Sequence, residues 1–243
     1  MLQGARSLTT MIGTVLALGG GGFSTLDQAS PIDDYLLQLT GKDEPKVCFV
    51  PTASGDADPY IERFFAAFEG RAQTSVLSLF CHDPWGYLDP AMLLTQDAVY
   101  VGGGSTANLL AVWRLHGLPG ILRTAAANGT ILAGISAGMN CWFDASSTDS
   151  YGPLAPLPDG LGFLPGSACP HYVEEEGRRE KYLGWVASGA LPDGYAVDQH
   201  TALVFRDRQL VEAVSEVAGH PAYRVELSPD GATETELPVR LLA

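Results

Sequence analysis

Through the first 135 residues, short apolar runs alternate with stretches whose apolar positions recur at helical spacing. The runs at 14–18, 46–50, 75–79, 98–101 and 130–135 are continuously apolar or β-branched rather than alternating, which suits strands covered on both faces. Between them, 31–39, 57–68, 90–95, 105–115 and 119–128 read as helices. In 57–68, Ile61, Phe64, Phe65 and Phe68 fall on one face. Strand–helix alternation with short links predicts an α/β fold with a mostly parallel central sheet flanked by helices on both faces.

After residue 143 the rhythm changes. Glycine and proline are frequent from 151 to 170, so this segment is expected to be loop-rich. A helix is expected over 175–188, antiparallel strands over 196–205 and 209–214, and a last strand over 222–227. They give the sheet a small antiparallel C-terminal portion. Residues 1–10 read as an N-terminal extension, with Met11 as an alternative start, and 11–243 as a single domain.

In a parallel sheet, ligands sit outside the carboxyl ends of the strands. Four small-residue segments follow predicted strands: Gly19-Gly20-Gly21-Gly22, Pro51-Thr52-Ala53-Ser54, Gly102-Gly103-Gly104-Ser105 and Gly134-Ile135-Ser136-Ala137-Gly138. They are expected to gather on one edge. The last matches the G-x-S-x-G pattern of a nucleophile on a sharp strand-to-helix turn; by itself it equally describes a structural turn. The glycine loop at 102–104 offers backbone N–H groups for an oxyanion. No GxxxxGK[ST] sequence is present, and Gly19–Gly22 lacks the G-x-G-x-x-G order of a dinucleotide loop.

A serine nucleophile needs a base. Of the five histidines, His116 ends a helix and His220 precedes Pro221, and both are expected in solvent. His82 follows a strand end. His171, in Ala168-Cys169-Pro170-His171-Tyr172, has no evident packing role and is the first choice.

Composition narrows the classes. The 243 residues are 46% hydrophobic, enough for one sizeable core. The net charge of −14, from 28 acidic and 14 basic side chains, disfavours nucleic acid and anionic membranes as partners. No run approaches the about 20 apolar residues of a membrane span. Cys48, Cys81, Cys141 and Cys169 show no CxxC or metal spacing and are expected to be free thiols in a reducing cytoplasm. No cofactor and no metal is expected.

Together, "LALGGGGFS", "VYVGGGSTANLL", "GISAGMNCWF" and "CPHY" resemble peptidase family S51, the group of peptidase E and cyanophycinase, related in fold to class I glutamine amidotransferases. The resemblance spans roughly residues 12 to 215. It implies a cytoplasmic serine peptidase, a dipeptidase acting on short peptides, Asp-Xaa among them, through an acyl-enzyme, and a homodimer. It further implies Ser136 as nucleophile, His171 as base, and the N–H groups of Gly104 and Ala137 as oxyanion donors. The family's third member, an acid, aligns with Gln199. The adjacent Asp198 takes the role with a one-residue shift, with Gln199, Asp149 and Asp144 as alternatives. For an acidic substrate side chain, Arg179 aligns best, with Arg178 beside it; Gly103 and Ser105 complete the expected binding set. Hydrolysis of β-aspartyl-arginine, or a catalytically degenerate binding module, are the competing readings.

Overall fold

The computed structural model describes residues 12–25, 30–80 and 87–242. The expected N-terminal extension, Met11, Cys81 and His82 lie outside the described residues.

Strands β1 (Thr14–Leu18), β2 (Lys46–Val50), β3 (Gln73–Val76), β4 (Ala98–Val101) and β5 (Ile131–Ile135) pair in parallel in the order β1-β5-β4-β2-β3. Alternate side chains of these strands enter different cores. Val15, Ala17, Val99, Val101 and Leu132 pack with α3 (Thr106–Leu115) and α4 (Leu118–Ala127). Leu16, Leu18, Phe49, Tyr100 and Ala133 pack with α1 (Pro31–Thr40) and α2 (Asp58–Phe68). The continuous apolar runs are thus read from both sides, as expected.

Helix α1 starts where its sequence says it should. Ser30 caps it, Asp33 closes the capping box, and Pro31 occupies the first turn. The third strand begins two residues earlier than expected and stops at Val76. There the Asp56 carboxylate takes the hydroxyl of Ser78 and the N–H groups of Leu79 and Phe80, drawing the chain off the ladder.

The larger departure is a second sheet. The helix after Ser136 is one turn, α5 (Ala137–Asn140), followed by β6 (Phe143–Thr148), β7 (Ala155–Leu157), β8 (Leu164–Cys169), α6 (Arg178–Ala187) and β9 (Gly194–Val197). Strands β7 and β8 lie in the stretch expected to be loop. Strand β8 reads Leu-Pro-Gly-Ser-Ala-Cys yet pairs in parallel with both β6 and β9. Proline and glycine concealed a strand that its neighbours specify.

The stretch 196–205, expected as one strand, is two. Strand β9 stays in the second sheet; β10 (Thr201–Arg206) runs antiparallel to β1 in the first. Residues 198–200 carry the chain between the sheets, with His200 at φ +61°. Strand β11 (Gln209–Ser215) pairs antiparallel with β10, giving the expected antiparallel C-terminal portion. Strand β12 (Ala222–Ser228) is not the last: β13 (Gly231–Glu236) extends the second sheet and β14 (Val239–Leu241) edges the first. Among the described residues, no helix is long and apolar enough to cross a membrane.

Candidate active site

The loops after β1, β2, β4 and β5 do meet at one edge of the sheet. Ser136 N–H donates to Leu18 O (3.0 Å), Gly102 N–H to Val50 O (3.2 Å), and Ser105 N–H to Ala53 O (2.8 Å). Ser136 sits between β5 and α5 at φ +56°, ψ −109°, a conformation that non-glycine residues avoid. Two close backbone approaches force that geometry. A Cβ on Gly134 would stand 2.2 Å from Gly138 O, and one on Gly138 would stand 2.4 Å from Val101 O. The flanking glycines are therefore steric requirements of the turn.

His171 reaches the serine from the second sheet. It follows β8, holds φ +53°, and places Nε2 2.8 Å from Ser136 Oγ. Burial pushes the imidazole below its ordinary value, partly opposed by Glu175, so at neutral pH it is an uncharged base. Its Nδ1 is buried and has no hydrogen-bond partner among the described residues.

The expected oxyanion and binding glycines separate by what their N–H groups do. Gly103 N–H donates to Tyr60 Oη (3.2 Å), and Ser105 N–H is held by Ala53 O. Gly104, at φ +135° with Ala53 O where a Cβ would go, lines the same cavity as Ser136 and His171. Among the described residues neither the Gly104 N–H nor the Ala137 N–H has an acceptor. Gly103 instead packs on the nucleophile, with its would-be Cβ 3.4 Å from Ser136 Cβ. Ser105 caps α3 through Asn108 N–H.

The two candidates for the third member occupy different places. Asp198 Oδ1 accepts from Val173 N–H (3.1 Å) and Glu174 N–H (3.2 Å), and Oδ2 faces His220 Nδ1 at 3.2 Å. Asp198 is thus engaged with the backbone just after His171 and makes no hydrogen bond to the His171 ring. His220, expected in solvent, is its partner. Gln199 lies alongside the imidazole. A Cβ built on Gly20 would overlap Gln199 Oε1 and stand 3.2 Å from His171 Cε1, so Gly20 leaves room for both side chains. Asp149 lines the cavity, whereas Asp144 takes Gly166 N–H (2.9 Å) outside it.

The arginines are also separated. Arg179 is half-exposed and pairs with Glu234 on β13. Arg178 is 4% exposed and lines the cavity, with Nε donating to Glu175 Oε2 at 2.8 Å and Nη2 to the same oxygen. The cavity is about 170 Å³ and is otherwise lined by Thr106, Asn140, Ser147, Thr148, Pro170 and Glu175. A larger cavity of about 560 Å³, beside Tyr223 and Glu236, contains none of the expected site residues. Asn140 and Thr106 were not anticipated; only the position of Asn140 four residues after Ser136 hints at a role.

Behind the first glycine loop, Gly22 N–H donates to the buried Glu216 (2.9 Å), which also holds His200 Nδ1 (2.8 Å). Cys48, Cys141 and Cys169 are free and buried, and burial pushes the Cys48 and Cys169 thiols up to about 12. Among the described residues no group of three or more His, Cys, Asp or Glu side chains is placed to hold a metal ion.

Comparison with known proteins agrees with this architecture. The chain is 45% identical over 229 residues, 94% of its length and 98% of the relative's, to the uncharacterized peptidase YgaJ of Bacillus subtilis. It is 32% identical over 136 residues, 54% of its length and 53% of the relative's, to a peptidase E of Streptomyces coelicolor. A peptidase crystal structure from an acI-B1 Actinobacterium superposes with a TM-score of 0.68 over 95% of this chain and 96% of that one, at 16% identity. A putative peptidase E from Listeria monocytogenes does so at 0.59 over 82% and 96%, at 20% identity. Such likenesses carry the fold, which is that of class I glutamine amidotransferases. The family profile itself matches residues 15–213, across both glycine loops, the serine turn and the histidine, and the chain belongs to peptidase family S51.

Proposed function

We propose that the protein is a serine peptidase that cleaves short peptides through an acyl-enzyme. The observation that carries this reading is the 2.8 Å contact between Ser136 Oγ and a neutral, half-buried His171, with the serine held in a strained turn. Nucleophile and base within hydrogen-bond reach are the arrangement that activates a hydroxyl. His171 Nε2 takes the Ser136 proton as Oγ attacks the peptide carbonyl. The N–H groups of Gly104 and Ala137 receive the oxyanion. The imidazolium then protonates the leaving amine, and a water deprotonated by His171 releases the acyl group.

Gln199, beside the imidazole, orients it by its carbonyl oxygen; free enzymes commonly hold such contacts loosely. A carboxamide steers the ring but lends no charge to the imidazolium. Asp198 positions the His171 loop through two backbone N–H groups. The cavity of about 170 Å³ favours short peptides over folded proteins.

The test is a dipeptide-library hydrolysis screen beside labelling with a fluorophosphonate. Wild-type protein is expected to hydrolyse dipeptides and to be labelled at Ser136. Ser136→Ala is expected to lose about 10⁴-fold or more in kcat. Unchanged hydrolysis by Ser136→Ala, or a folded wild-type protein that takes no label, would sink the reading.

A further inference from the structure

A buried arginine beside a peptidase nucleophile invites an acidic side chain, yet Arg178 already has its counter-ion. Glu175 receives both Nε and Nη2 of the guanidinium on one oxygen, three residues away in sequence. Asp149 and Glu175 against Arg178 leave the cavity net negative while His171 is neutral. A substrate carboxylate entering there would meet two carboxylates and a compensated cation.

A second, independent observation concerns Asn140. It is 3% exposed and lines the cavity. Its Nδ2 donates to Ser147 O (2.9 Å) and lies 3.3 Å from Thr106 Oγ1, which fixes which end of the amide is nitrogen. Its Oδ1 is buried with no hydrogen-bond partner. A buried acceptor without a donor is costly, and a bound group that donates there recovers the loss. A carboxylate cannot donate; a carboxamide can.

Resting on the serine-peptidase reading above, we propose that the cavity takes an uncharged carboxamide side chain on the acyl-donor residue, asparagine in preference to aspartate, and that Glu175 sets this preference by neutralising Arg178. The carboxamide NH₂ donates to Asn140 Oδ1. Its carbonyl oxygen faces the Arg178 side of the cavity. Glu175 acts by compensating Arg178 and by its own charge in the cavity, and is a specificity-determining residue rather than a catalytic one.

The test compares kcat/KM for Asn-Leu, Asp-Leu and Leu-Leu, three substrates of nearly equal shape, on wild-type protein and on Glu175→Gln. Wild-type protein is expected to favour Asn-Leu over Asp-Leu by roughly tenfold or more, and over Leu-Leu by a similar factor. Glu175→Gln, which keeps a side-chain oxygen to accept from Arg178, frees the Arg178 charge and is expected to move the Asn-to-Asp ratio at least about tenfold toward aspartate. Wild-type preference for Asp-Leu, or a ratio unmoved by Glu175→Gln, overturns the proposal and leaves the serine-peptidase reading standing. Hydrolysis of none of the three, with Ser136 still labelled by a fluorophosphonate, overturns the specificity alone; no hydrolysis and no label overturn both.

Discussion

The site is assembled from two regions built on opposite principles. On one side, Ser136, Gly104 and Ala137 stand where strands of the parallel sheet end, held by close backbone approaches such as Gly104 against Ala53 O and Gly138 against Val101 O. On the other, His171, Gln199, Asp198 and Arg178 come from segments that leave or enter the second sheet, and side-chain hydrogen bonds and ion pairs hold them. Val173 and Glu174 are held by Asp198, about 25 residues on, and the His171 ring is flanked by Gln199 above Gly20. The first region is made by close packing of small residues, so one added methyl should break it. The second is made by polar contacts, so it should bend by degrees.

The sharpest way to break the contrast is Gly134→Ala. The new methyl would stand 2.2 Å from Gly138 O, with no flexible side chain to give way. Overpacking of this kind costs about 1–3 kcal/mol in stability, and a displacement of about 1 Å at the nucleophile costs about 10²-fold in rate. Both losses are expected together, in the denaturation midpoint and in the rate of fluorophosphonate labelling. Wild-type labelling by Gly134→Ala would show that the turn does not need its glycines.

A smaller effect is expected from Asp198→Asn. A carboxylate that orients a catalytic histidine is worth about 10⁴ in kcat. A carboxylate that only ties down the histidine's loop is worth far less, because an asparagine Oδ1 still accepts from both Val173 N–H and Glu174 N–H and only the contact to His220 changes. The expected loss is about tenfold in kcat, with KM within about twofold. A loss near 10⁴ would move Asp198 into direct contact with His171 during turnover.

The same division explains what could be read from the sequence. Strand runs, glycine loops and the serine turn are local: the apolar periodicity of 14–18, 98–101 and 130–135 and the spacing of Gly134, Ser136 and Gly138 carry their geometry. The second sheet is not local. Strand β8 contains Pro165 and Gly166, and only its pairing with β6 and β9 makes it a strand. The break at 198–200 falls on the polar triplet Asp198-Gln199-His200, but the apolar residues on either side of it look alike and enter two different sheets. By adjacency to Gln199, Asp198 reads as the third catalytic member, and by alignment Arg179 reads as the substrate arginine. One residue of register along a helix start decides which arginine is 4% exposed in the cavity and which pairs with Glu234 at the surface.

The finest test of the comparison is Gln199→Glu, read as a pH profile. Burial lowers the His171 value below its ordinary 6.5, so its neutral form persists to lower pH than usual. The acid limb of kcat/KM, where the base becomes protonated, is accordingly expected below pH 6.5 in the wild-type enzyme. A carboxylate in place of the Gln199 amide favours the imidazolium, raises the His171 value and shifts that limb upward. The same charge stabilises the imidazolium formed as Ser136 attacks, so the neutral-pH plateau should rise several-fold even as activity is lost sooner on the acid side. If Gln199→Glu moved neither limb nor plateau, the side chain beside Gly20 would have no electrostatic hold on His171. The second region would then support its base by shape alone, as the first supports its serine.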